Sequence, residues 1–212
     1  MKTVLRGVLY LLLFAVSVRP ALAADAVTGG IEVGANMGKA SVTGSDAAGV
    51  TIGAKAGLAI GGFVEVPANK IFSVQPEVLY SQTPTTVSDS GEPADTEHID
   101  SIEIPILARI NLPSQSKAHA YLLAGPGFGF ITRFKETQAN GKENDFKDNV
   151  EKANVSIIAG VGVQVGHFGI EGRYDGGLRN INKNLNGNDA GAKDRLSIKS
   201  RSFTVLARWA FK

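Results

Sequence analysis

Residues 154–181, NVSIIAGVGVQVGHFGIEGRYDGGLRNI, decide the fold. In the first arm Val155, Ile157, Ala159, Val161, Val163 and Val165 share one parity. Asn154, Ser156, Gly160, Gly162 and Gln164 share the other, with Ile158 as the exception. Alternation with a period of two marks a strand whose two faces meet different surroundings. The chain reverses through Gly166, His167, Phe168 and Gly169. On the way back Ile170, Gly172 and Tyr174 face one way, and Glu171, Arg173 and Asp175 the other. A soluble barrel hides its aliphatic face and wets its charged one. Here charges of both signs lie where they can meet, and the aliphatic face is uniform. That suits a sheet with aliphatic residues toward lipid and polar residues inside.

The alternation recurs along the chain. Residues 31–39 set Ile31, Val33, Ala35 and Met37 against Glu32, Gly34, Asn36 and Gly38. Residues 51–66 put Ile52, Ala54, Ala56, Leu58, Ile60, Gly62, Val64 and Val66 on one face, with Lys55 and Glu65 on the other. Residues 71–82 alternate Phe72, Val74, Pro76, Val78 and Tyr80 with Ser73, Gln75, Glu77 and Ser81. Residues 98–112 oppose Ile102, Ile104, Ile106, Ala108, Ile110 and Leu112 to Ser101, Glu103, Arg109 and Asn111. Residues 118–134 carry Leu122, Ala124, Pro126, Phe128 and Phe130 opposite a glycine row, Gly125, Gly127 and Gly129. Residues 198–211 set Phe203, Val205, Ala207, Trp209 and Phe211 against Thr204, Leu206 and Arg208. With the two arms of the hairpin this predicts eight strands, the even count of closed single-chain bacterial barrels. The expected fold is all-β, an eight-stranded antiparallel up-and-down transmembrane barrel.

Connection lengths alternate as well. Short turns are expected at 67–70, 113–117 and 166–169, and long polar loops at 40–50, 84–97, 135–151 and 182–197. Outer-membrane barrels sort their connections this way, short toward the periplasm and long outside. Phe72 and Tyr80 lie eight residues apart on the outward face. At ~3.3 Å per residue and a tilt near ~40° they differ in height by roughly 20 Å, which approaches the apolar band bounded by aromatic girdles. Trp209 and Phe211 fall at the periplasmic border on the same threading.

Composition sets bounds. A chain of 212 residues is expected to form one domain. It has no Cys, which excludes disulfides, thiol chemistry and a lipidated Cys anchor. Lys2 and Arg6 precede an apolar run, VLYLLLFAVSV at 8–18, and Ala21-Leu22-Ala23 fits the small-x-small cleavage rule. The run is too short to span a bilayer as a helix, which takes about 20 residues. Residues 1–23 are therefore expected to be a cleaved signal peptide and residues 24–212 the barrel domain. Without the basic residues of that leader, 19 basic side chains face 20 acidic ones, so nothing points to nucleic acid.

Several phrases together resemble a known family. They are GGFVEVPANKIFSVQPEVLYSQ, IEIPILARINLP, AYLLAGPGFGF, IAGVGVQVGHFGIEGRYDGGLRNI and RSFTVLARWAFK. The chain from Gly53 to Phe211 is similar to the PorT-like outer-membrane β-barrels, often called the porin family, with Gln-Pro-Glu-x-x-Tyr-Ser and Ala-Gly-Pro as the most specific parts. The resemblance implies a small barrel of the OmpA and OmpX kind in a Gram-negative outer membrane, most of whose relatives have no assigned activity. Its surroundings would be outer-membrane lipid and lipopolysaccharide. Such barrels usually end on an aromatic read by the assembly machinery. Here Lys212 follows Phe211, so that signal is shifted by one.

The inward parity selects a lumen charge network: Glu32, Lys55, Glu65, Glu77, Glu103, Arg109, Glu171, Arg173, Asp175 and Arg208. Threading splits it into a lower level (Glu32, Glu65, Arg109, Glu171, Arg208) and an upper one (Lys55, Glu77, Glu103, Arg173, Asp175). Each level mixes signs, as buried charges require. An eight-stranded lumen is just wide enough for side chains to fill, so a plugged rather than conducting interior is expected. Arg208 is expected to pair with Glu171 or Glu32, because the last strand neighbours both the seventh and the first. The glycines at 125, 127, 129, 160 and 162 would make room for the long charged arms.

No catalytic, cofactor or metal site is expected. There is no Gly-x-Ser-x-Gly elbow, paired-His metal motif or Walker loop. A lipid-modifying barrel enzyme is one alternative, and would need a rim histidine near a Ser or acid, for which only His98 stands at the outer end. A soluble periplasmic barrel carrying a hydrophobic ligand is another. Surface binding would fall to the loops, of which the stretch with Asp89, Glu92, Asp95, Glu97 and Asp100 is acidic.

Overall fold

Each strand pairs with its sequence neighbour, and the last pairs with the first. The computed structural model describes residues 27–43, 51–88, 95–138, 143–145, 153–178 and 197–211. Eight barrel strands are built from them. They are β1 (Thr28–Thr43), β2 (in two segments, Thr51–Ala54 and Ala56–Pro67), β3 (Phe72–Ser88), β4 (Asp95–Asn111), β5 (Ala118–Thr137), β6 (Ala153–Val165), β7 (Phe168–Gly177) and β8 (Ser197–Phe211). A three-residue segment, Glu143–Asp145, pairs with the far end of β5. All pairings are antiparallel, and β8 closes on β1 in a register that sets Arg208 opposite Glu32 and Trp209 opposite Ile31. Closure leaves no open sheet edge, so every barrel strand is paired on both sides.

The two faces of the wall differ as the alternation requires. Val161 and Ile170 are each 57% exposed, whereas Glu171, one residue away from Ile170, is 0% exposed. No helix of the described residues is long and apolar enough to cross a membrane. The strands do the crossing. Their short connections lie at one end: four residues between β2 and β3, six between β4 and β5, and Gly166-His167 between β6 and β7. Gly166 has φ 60°, the left-handed region that suits Gly in a two-residue hairpin turn. His167 stacks on Trp209 with ring centroids 5.7 Å apart, and its Nδ1 lies 2.8 Å from the Ala210 carbonyl, which fastens this turn to β8.

Several strands run further than the periodicity predicts. The expected loop at 84–97 is partly strand, since β3 continues to Ser88 and β4 begins at Asp95. Likewise β1 extends to Thr43 and β5 to Thr137. Beyond the hydrocarbon the outer face of a strand has no lipid to meet, so no apolar alternation is needed and none is written. The expected loop at 182–197 lies outside the described residues except for Ser197, which opens β8. One expected strand is broken. Between its two segments β2 interrupts at Lys55, whose backbone N–H donates to the Pro84 carbonyl at 3.2 Å.

The lumen is packed rather than merely polar. Two small apolar clusters sit inside, Leu107, Tyr121, Leu123 and Ile158 on one wall and Ala59, Leu79 and Leu206 on the other. Phe63 is buried inward as well.

Candidate functional site

The centre of the lumen is occupied by a buried cluster of five charged side chains and one tyrosine. Glu32 comes from β1, Glu77 from β3, Tyr121 from β5, Glu171 and Arg173 from β7, and Arg208 from β8. Period-two geometry puts Glu171 and Arg173 on the same face of β7, and the β8–β7 register brings Arg208 beside them. Arg173 holds the cluster together. Its Nε donates to Glu171, its Nη1 lies 2.5 Å and its Nη2 2.8 Å from the two oxygens of Glu77, and Nη2 is 3.4 Å from Glu32. Arg208 completes it, with Nη1 2.7 Å from Glu171 Oε2 and Nε 3.3 Å from Glu32 Oε2. Tyr121 donates its hydroxyl to Glu171 at 2.8 Å and accepts from Arg208 at 3.0 Å. The Arg208 guanidinium also lies over the Phe63 ring, 3.8 Å from its centroid, a stacking that Arg makes well in a dry site. Both partners expected for Arg208 are thus within ion-pair reach.

The threading into two levels does not hold. Arg173 reaches down and across to Glu32 and Glu171, so one cluster joins members of both levels. A second group lies toward the turns. Arg109 pairs with Glu65 at 3.0 Å, donates to Asn111 at 2.8 Å and to Gln164 at 2.9 Å, and lies over the Tyr121 ring. It opens on a cavity of about 730 Å³ at the short-turn end. A third group lies toward the loops, where Ser101 donates to Glu103 at 3.2 Å and Ser156 to Asp175 at 2.9 Å. Neither carboxylate has an ion-pair partner among the described residues. Lys55 joins none of the three. It is exposed at the break in β2, with Nζ 3.2 Å from Thr96 Oγ1.

The charge network expected from parity left out Tyr121, Phe63, Gln75 and Asn36, although all four share the inward face of their strands and Gln75 and Asn36 stand on the polar parity read from the sequence. Gln75 donates to Glu77 at 2.5 Å, and Asn36 links Ser81 at 2.7 Å and Thr83 at 2.8 Å above the cluster. The signal that would have found Tyr121 is its facing glycine. A Cβ at Gly162 would stand 2.3 Å from the tyrosine Cζ, so Gly162 makes room for a ring rather than for a charged arm. Gly160 does face an arginine, with Arg173 Cγ 3.1 Å from its virtual Cβ. A Cβ at Gly125 would instead stand 2.2 Å from the Ile106 carbonyl oxygen, so this glycine serves close strand packing.

Of the aromatics expected at the membrane borders, Phe72, Trp209 and Phe211 are exposed and Tyr80 is half-buried. Phe128, Phe168, Tyr174 and Phe203 are exposed on the same outer face. His98 is exposed. Among the described residues no group of three or more His, Cys, Asp or Glu side chains is arranged to hold a metal ion.

Several solved outer-membrane proteins align with this chain at low identity. Neisserial surface protein A aligns with a TM-score of 0.51 and 15% identity, over 88% of this chain and 100% of its own. OprG from Pseudomonas aeruginosa aligns with a TM-score of 0.48 and 10% identity, over 87% of this chain and 94% of its own. Ail, the attachment invasion locus protein of Yersinia pestis, aligns at 0.43 and 15%, over 87% and 98%. Among curated proteins none matches. The family model described as "Outer membrane protein beta-barrel domain" matches residues 24–183, most of the chain. Closed eight-strand topology, an aliphatic outer face, a charged interior and that match agree: the chain belongs to the outer membrane protein beta-barrel domain family and is an integral β-barrel of a Gram-negative outer membrane.

Proposed function

We propose that this barrel is a non-enzymatic element of the outer membrane, sealed through its centre, whose role is structural or exercised through its loops at the cell surface. One observation carries the reading. The arginines and glutamates of β1, β3, β7 and β8 meet across the lumen at ion-pair distance, so no water-wide path passes between them. Eight strands leave an interior that side chains can fill, and mixed-sign pairs fill it. Purified, refolded protein in planar lipid bilayers is expected to give no steady conductance steps at neutral pH. Stable single-channel openings would overturn the plug.

The other roles follow from the same picture. Lipid-modifying barrels need a histidine aimed at a Ser or acid. His98, the one histidine expected at the outer end, is exposed at the rim. Phe72, Phe168, Trp209 and Phe211 form the periplasmic aromatic girdle, and Tyr80, Tyr174 and Phe203 the outer one, in contact with membrane lipid and lipopolysaccharide. Phe211 serves the assembly machinery. The phrases around Gln75-Pro76-Glu77 and Ala124-Gly125-Pro126 support a place among the PorT-like barrels. Residues 1–23 are a cleaved leader, and sequencing of the mature protein is expected to begin at Ala24. A mature chain that starts elsewhere in the leader, or at Met1, would correct that boundary.

A further inference from the structure

The lumen holds more carboxylates than cations, and the surplus is localised. Toward the turns Glu65 is matched by Arg109. In the centre three carboxylates, Glu32, Glu77 and Glu171, share two guanidiniums, Arg173 and Arg208. That cluster has no positive charge to spare. Loopward of it stand Glu103 on β4 and Asp175 on β7, whose side-chain hydrogen-bond partners among the described residues are serine hydroxyls. Both are half-buried, and holding two carboxylates together away from most water without a countercharge is costly.

Both acids line one cavity of about 70 Å³, whose wall carries no Lys, Arg or His. Its polar groups besides the acids are neutral oxygens or amides, among them Ser101, Ser156, Ser202, Thr83 and Asn154. The space exists because β5 contributes glycines there. The virtual Cβ of Gly129 lies 3.7 Å from Asn154 Cβ and 3.8 Å from Glu103 Cγ, and that of Gly127 lies 2.6 Å from Ser156 Oγ. The register sets Glu103, Gly129 and Asn154 side by side across β4, β5 and β6.

An independent observation points to a ligand. Asn154 lies on this wall half-buried, but its Oδ1 is shielded from solvent and accepts no hydrogen bond from the described residues. Buried amide oxygens are nearly always satisfied. A carbonyl-type oxygen without a donor, beside two carboxylates without a cation, matches the needs of a positive ion. The donors are all oxygen, which selects a hard cation over zinc or copper. The volume admits the ion and a few waters, since one water needs roughly 10–15 Å³ of such space. Two carboxylates match a charge of two.

We propose that this loop-side chamber binds one divalent cation of the calcium type between Glu103 and Asp175, with Asn154 Oδ1 and the chamber's hydroxyls or waters completing its shell. The ion neutralises the surplus charge. It also ties β4, β6 and β7 together across the lumen, on the outer side of the charge plug.

The test uses the full mature chain, refolded in detergent and stripped with a chelator, with Ca²⁺ alone as the probe. Titration calorimetry is expected to show one bound equivalent, and the thermal midpoint to rise with Ca²⁺. The Glu103→Gln, Asp175→Asn double variant keeps the shape of both side chains. It is expected to retain heat-modifiable mobility while losing both the bound equivalent and the thermal response. Asp89→Asn with Glu92→Gln, in the acidic stretch between β3 and β4, is expected to leave both intact. If the double variant does not refold, Glu103→Gln alone is expected to weaken binding at least tenfold. The proposal is overturned if the wild-type barrel takes up no Ca²⁺, if the chamber variants bind as it does, or if the loop variant alone abolishes binding.

Discussion

Replacing Arg173 with alanine is expected to destabilise the barrel by about 3–5 kcal/mol, the usual cost of removing one partner from a buried ion cluster. Arg173 is 4% exposed, and its guanidinium serves Glu171, Glu77 and Glu32 at once. Without it three carboxylates in the centre of the lumen are left to Arg208 alone. The cost comes mostly from those abandoned charges rather than from the lost pairs. Neutralising Glu77 to Gln in the same background is therefore expected to restore part of the loss, a non-additivity that contact between the two side chains requires. Trp209 is the only tryptophan and lies 49% exposed on the outer face, so its fluorescence reports urea-driven release from lipid vesicles. An Arg173→Ala barrel within about 1 kcal/mol of wild type would mean the lumen rehydrates freely, and the cluster would lose its role as a plug.

Val161→Arg is expected to cost about 2–4 kcal/mol in the same vesicle assay, the penalty for a lipid-facing cation well inside the hydrocarbon. Val161 is 57% exposed on β6, pairs with Leu122 and Gly172, and makes part of a continuous aliphatic surface with Val163 and Ile170. At an exposed site in water the same change would fall within about 0.5 kcal/mol. The magnitude thus reads the solvent outside the wall. A tolerated arginine at 161 would place water, not lipid, against this face. The next residue is constrained in the opposite way. Gly162 faces inward, where the Tyr121 ring occupies the volume a side chain would need. One strand therefore carries, at adjacent positions, a requirement for grease and a requirement for emptiness.

Strand number, hairpin order, the short-turn end and the identity of the two faces were legible in the chain before any coordinates. Each is set by a local rule: a two-residue alternation where one side meets lipid, and Gly, Pro or Asn where the chain reverses. Val161 against Gly162 and Ile170 against Glu171 show how little context those assignments need. The rule fails where its cause does. Above the hydrocarbon, stretches such as Thr83 to Ser88 are strand without apolar alternation, because the outer face there has no lipid to meet. At Lys55 the parity pointed inward, yet the break in β2 turns that side chain out to Thr96.

What the sequence by itself determined is which residues enter the lumen: Glu32, Glu77, Glu171, Arg173 and Arg208 all share the parity that hides from lipid. What only the tertiary structure decided is who meets whom. Contacts across the interior depend on the stagger between strands and on how far a long arginine reaches, and no period along one strand encodes either. Hence Arg173 bridges positions 32, 77 and 171 from three different strands, and Glu103 and Asp175 are brought to one chamber with no cation among the described residues that line it.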